Sequence, residues 1–127
     1  MPLGDPGGGN FEYTVEGLPK SVAFIEIPVR DIERAIRFYR DILKLNAISQ
    51  NDESAVLELE GGNIVLVKDP KNTGKDTGLY LKVDNPYDFN RRMVDDNVII
   101  TRHPQKGPLG VFASFKDDDG NMIHVIS

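Results

Sequence analysis

From Ser21 to Val29 the chain alternates with period two. Ile25, Ile27 and Val29 fall on one side and Phe24, Glu26 and Pro28 on the other, which predicts a strand with one aliphatic face turned to a core. The period then changes. Asp31 is placed to cap a helix, Glu33 lies in its first turn where the helix dipole favours an anion, and Ile32, Ala35, Ile36, Tyr39 and Leu43 recur at helical spacing. Strands are predicted over Ala47–Gln50, Ala55–Glu60 and Ile64–Val67, the last two joined by a turn at Gly61-Gly62-Asn63. The resulting order is βαβββ.

After a polar linker, Lys68–Thr77, the pattern begins again. Leu79, Leu81 and Val83 correspond to Ile25, Ile27 and Val29, each 54 residues on. Asn85-Pro86 supplies a cap and a first-turn proline, and Tyr87–Asp96 continues as a helix with Phe89 and Met93 turned inward. Strands are predicted at Val98–Thr101, Val111–Lys116 and Met122–Ile126. Gly62-Asn63 and Gly120-Asn121 stand 58 residues apart, so the second copy holds four extra residues, assigned here to a loop over His103–Gly110. Modules of about fifty residues are too small to bury a sheet and a helix alone, so the two are expected to pack together or across a dimer. The predicted class is α+β: two tandem βαβββ modules, about 20–68 and 78–127, forming a curved mixed sheet.

Composition narrows the chemistry. The chain has 127 residues, a formal charge of −5 and no cysteine, which excludes disulfides, thiolate nucleophiles and cysteine-bound metals. Its longest apolar runs are too short to span a membrane or to form a signal-peptide core, so a soluble, cytoplasmic protein is expected. No basic stripe is present, so neither nucleic acid nor an anionic membrane is an expected partner, and the net sign weakly suits a cationic ligand. Residues 1–10 are rich in glycine and proline and are read as a flexible arm ahead of a single domain over 11–127. Within that domain Phe11, Tyr13 and Val15 alternate, as in an edge strand or a strand added to a partner.

Alternation also nominates a cleft. If the aliphatic faces lie under the helices, then Phe24, Glu26, Tyr80, Lys82, Met122 and His124 project from the opposite side, with Phe112 as a wall. Mostly apolar lining with a few polar groups suits a small organic molecule. Glu26 has two readings: a general base or ligand-binding anion raised in pKa by burial, or a structural carboxylate paired with Lys82 or bonded at a sheet seam. His124 is either the acid–base partner of Glu26, or a ligand contact, or a satisfied half-buried histidine. His103 is expected in a solvated loop that could serve as a lid, and Tyr39 in the core. Asp117-Asp118-Asp119 lacks calcium-loop spacing and reads as a charged turn. Gly7-Gly8-Gly9 precedes no helix, and no serine sits in a strand–turn–helix elbow.

The segment from Phe24 to Tyr39, FIEIPVRDIERAIRFY, and the ending from Phe115 to His124, FKDDDGNMIH, resemble the vicinal oxygen chelate superfamily of glyoxalase I, bleomycin-resistance proteins and extradiol dioxygenases. The Glu-Ile-Pro wording is most similar to its branch of predicted lactoylglutathione-lyase-related proteins. The resemblance covers residues from about 20 to 127 and implies a homodimer. In metal-using members each module gives two ligands, one from its first strand and one from its last. Carried over, those positions fall on Phe24, on Val65 or Leu66, on Gly78 and on His124. One imidazole does not make a metal site. The resemblance therefore implies a metal-independent protein without cofactor, binding and sequestering a small organic molecule. The alternative is a lyase or isomerase acting on a small carbonyl or hydroxy compound, through Glu26 and His124 as acid and base or through a divalent metal relocated onto them.

Overall fold

A computed structural model describes residues 17–127. The expectations for the arm at 1–10 and for Phe11, Tyr13 and Val15 lie outside the described residues.

Strand β1 (Phe24–Val29) is followed by helix α1 (Ile32–Arg37), which runs on as a π-helical turn over Phe38–Ile42. Asp31 caps α1 as its sequence predicts, its side chain accepting from the Arg34 backbone N–H at 3.0 Å. The wider π turn lets two successive residues, Phe38 and Tyr39, both point inward. Strands β2 (Asn46–Gln50), β3 (Ser54–Leu59) and β4 (Gly62–Lys68) complete the first module. The second runs β5 (Asp76–Lys82), α2 (Pro86–Asp95), β6 (Ile100–Gly107), β7 (Gly110–Lys116) and β8 (Met122–Ile126). Asn85 caps α2, accepting from the N–H groups of Tyr87 and Asp88.

Hydrogen bonding resolves the expected curved sheet into two four-stranded mixed sheets, ordered β1-β4-β3-β2 and β5-β8-β7-β6. In each, the first and last strands of the module pair in parallel and the other neighbours antiparallel. The alternation is obeyed. Ile27, Val29, Ile64, Leu66, Ile123 and Val125 are buried in one continuous core with α1, and Leu79, Leu81 and Val83 pack against it.

One expectation is corrected. His103 lies in β6, which extends through the predicted loop to Gly107. The extra residues lengthen the β6–β7 hairpin; β6 is an edge strand whose register shifts on both sides of Arg102, so Pro104 withholds no needed donor. The predicted charged turn after β7 is present, and two of its carboxylates, Asp117 and Asp119, are buried. They form a clasp between the modules. The Asp117 carboxylate accepts from the Tyr39 hydroxyl at 2.5 Å and from Asn121 Nδ2 at 3.0 Å, while Asn121 Nδ2 also donates to the Pro28 carbonyl at 2.8 Å. Asp119 accepts from the Arg30 backbone N–H and guanidinium. Burial first, and the Asp117 charge second, push the Tyr39 phenol well above its ordinary range.

Candidate functional site

The site is built on the β5-β8-β7-β6 sheet, on the face away from the core. Register sets one row across it. Tyr80 lies opposite His124, His124 opposite Ser114, and Ser114 opposite Arg102. Cross-strand partners share a face, so these four residues form one row although 44 positions separate Tyr80 from His124. The Tyr80 ring stacks on the His124 imidazole with centroids 4.4 Å apart and an interplanar angle of 16°.

Both imidazole nitrogens are engaged. Nε2 lies 2.8 Å from Asp76 Oδ1 and Nδ1 lies 2.6 Å from the Ser114 hydroxyl. A carboxylate only accepts, so Nε2 carries the proton toward Asp76 and, in the neutral ring, Nδ1 accepts from Ser114. Asp76 is placed there by an irregularity in β5, whose register with β8 shifts between Asp76 and Tyr80. The hydrogen bond from His124, then that from the Gly78 backbone N–H, hold the Asp76 carboxyl below the usual range. Ser114 is only 2% exposed. Its hydroxyl serves the imidazole and is closed to a substrate.

Beside this row lies a cavity of about 490 Å³ walled by Tyr80, Arg102, Pro108, Leu109, Phe112 and Ile126. The Arg102 guanidinium carbon sits over the Phe112 ring, 5.2 Å from its centroid. A second groove, about 580 Å³, runs along the seam between the sheets, where Val22 and Ile25 of the first module face Tyr80, Leu81 and Lys82 of the second. A third, about 230 Å³, holds Glu26 and Pro28 with Asp76 and Thr77. Edge strands β1 and β5 thus lie side by side in opposite directions. That direction separates Glu26 from Lys82, and no ion pair joins them among the described residues. Glu26 is exposed, so the expected burial of its carboxylate is not found and it needs no partner.

The predicted residues therefore divide. Tyr80, Phe112 and His124 come together, Lys82 stands at the seam, and Met122 is half-buried opposite Asp76 on the same face. Phe24 is 52% exposed on the first sheet. Glu26 faces Asp76 across a small cavity, and Asp76 rather than Glu26 takes the His124 bond. Sequence reasoning missed Asp76, Ser114 and Arg102. Ser114 was within reach of it, because it shares the parity of Phe112 on β7.

The four metal-ligand positions of metal-using relatives are now placed. Of Val65 and Leu66, it is Val65 that points away from the core, since Leu66 is fully buried in it. The set is a phenyl ring, an isopropyl group, a glycine and an imidazole with both nitrogens spent. These residues do not fit a metal ion, and among the described residues no group of three histidine, cysteine or acidic side chains is placed to hold one.

Among solved structures, the antibiotic-binding protein TnmS3 from Streptomyces sp. CB03234 superposes with a TM-score of 0.75 at 24% identity, over 85% of this chain and 95% of that one. A lactoylglutathione lyase from Agrobacterium tumefaciens gives 0.71 at 15% identity, over 85% and 93%. A superfamily member from Sphaerobacter thermophilus DSM 20745 gives 0.72 at 22% identity, over 85% and 97%. At such identities the likeness is one of fold. Comparison with curated proteins finds no significant match. The family model is matched by nearly the whole described chain, residues 21–125, and with two βαβββ modules around one core this protein belongs to the Glyoxalase/Bleomycin resistance protein/Dioxygenase superfamily.

Proposed function

We propose that this chain binds a small, flat organic molecule in the Tyr80–Phe112 cavity, without a metal, and sequesters it. The observation that carries the reading is the cavity itself: about 490 Å³, within the range of small-molecule sites, with aromatic walls and mostly apolar lining. The Asp76–His124–Ser114 line supports it by fixing the imidazole on which Tyr80 stacks, so that one wall is preorganised. The displacement of Glu26 from His124 by Asp76 weighs against acid–base catalysis by that pair. An antibiotic-binding protein among the structural neighbours is consistent with sequestration. We place the chain in a homodimer, because Phe24, Val56, Val65 and Val67 leave an apolar strip partly open on the first sheet.

The test uses 2-naphthol, a neutral planar probe, titrated by its own fluorescence into protein stripped with chelator. Saturable 1:1 binding is expected, weakened about tenfold or more in Tyr80→Ala and Phe112→Ala, whose urea midpoints are followed alongside. Binding that needs added metal, or that neither substitution alters, refutes the reading.

A further inference from the structure

Resting on that cavity as the binding site, we infer that its ligand is an aromatic acid, an anion on a flat ring system, and that Arg102 selects it. The charge of the site runs against the charge of the chain. The whole protein carries −5, which taken alone suits a cationic ligand. The outer face of the second sheet carries Arg102, Lys82 and Lys116 as its cations, placed there by pairing opposite Ser114, Ile126 and Met122. Asp76 is the carboxylate on this face; its Oδ1 accepts from His124 Nε2 and from the Gly78 N–H, the Arg102 charge acts on it, and the three cations outnumber it. A ligand in the cavity meets this local field rather than the net charge.

Arg102 is exposed, yet it is held beside an aromatic ring. Its guanidinium lies over Phe112, yet among the described residues it forms no ion pair. A cation–π contact leaves guanidinium N–H donors available, and their planar fork matches a carboxylate. The same ring that holds Arg102 is a wall of the cavity, so the anion-binding fork and the aromatic slot are set at a fixed offset. An aromatic ring entering between Tyr80 and Phe112 brings a ring carboxylate within the arginine's reach, where it can take a charge-assisted two-point bond; a neutral carboxamide offers one weaker carbonyl acceptor, and a cationic analogue is repelled.

The experiment compares 2-naphthoate with 2-naphthamide, which share shape and ring but differ in charge. Dissociation constants are measured by fluorescence titration at pH 7 in low salt for the native chain and for Arg102→Gln. The expected result is that the native protein prefers naphthoate by about tenfold or more, and that in Arg102→Gln the ratio of the two dissociation constants falls to near one. The preference should also shrink with added salt. Arg102 is exposed, so the variant is expected to unfold at the native urea midpoint. Equal binding of the two probes by the native protein overturns the inference and leaves the cavity reading standing. An undiminished preference in Arg102→Gln overturns the role of Arg102. Failure of both probes to bind overturns the cavity reading and this inference together.

Discussion

Replacing Tyr39 by phenylalanine tests the clasp that holds the modules in register and so sets the seam beside the site. The substitution removes one oxygen from a fully buried side chain and leaves the ring in place. Asp117 loses its bond from the Tyr39 hydroxyl and keeps those from Asn121 Nδ2 and from the backbone N–H groups of Asp119 and Asn121. The carboxylate is therefore weakened but not orphaned. A hydrogen bond to a charged group contributes about 1.5–3 kcal/mol, so a loss of about that size is expected, or roughly 5–15 °C in Tm for a domain of this length. Urea unfolding at pH 7 measures it, with an unchanged m value showing that the native and unfolded states are otherwise alike. The same residue predicts the alkaline limb. The Tyr39 phenol is raised well above the ordinary phenol value of about 10 in the folded chain, so the native state keeps a proton that the unfolded state gives up. Its contribution is fully present below pH 10 and is lost as pH rises from there toward the folded value, at up to about 1.4 kcal/mol per pH unit. Tyr39→Phe has no such proton and should show a flatter limb. A loss below about 0.5 kcal/mol at pH 7, or identical alkaline slopes in the two proteins, would refute this account of the clasp.

Two other outcomes follow from the site. A Cβ at Gly107 would stand 2.7 Å and 3.1 Å from Cε1 and Cδ1 of Phe112, so Gly107→Ala must swing that ring; 2-naphthol affinity is expected to fall several-fold or more with a smaller change in urea midpoint, and unchanged affinity would show that Phe112 is not a wall of the binding site. The Asp76 carboxyl is held low chiefly by His124, so its stabilisation is present above the unfolded carboxyl value and is lost as pH falls through the lower, folded one. Asp76→Asn should flatten the acid limb of urea unfolding, and an unaltered limb would show that the bond to His124 contributes nothing.

The sequence by itself determined the order of elements, both helix caps and which side of β1, β5 and β8 meets the core. These are local properties: successive strand side chains alternate by geometry, and a capping side chain bonds within three residues of itself. Ile27 and Val125 could be assigned to the core, and Tyr80 and His124 to the other face, without knowing what lay beside them. Tertiary structure decided everything that depends on register. An irregularity in β5 puts Asp76 on His124 in the place read for Glu26, and no spacing within the linker reveals it. Antiparallel edges carry Lys82 away from Glu26, shifts around Pro104 turn an expected loop into strand, and Arg102 reaches Phe112 only through the β6–β7 pairing. The run of three acids reads as a charged turn, yet Asp117 and Asp119 are buried because Tyr39 and Arg30 supply donors from a distant part of the chain, beside the local donor of Asn121. A buried charge is tolerated only where partners converge on it, and that convergence belongs to the fold rather than to any segment.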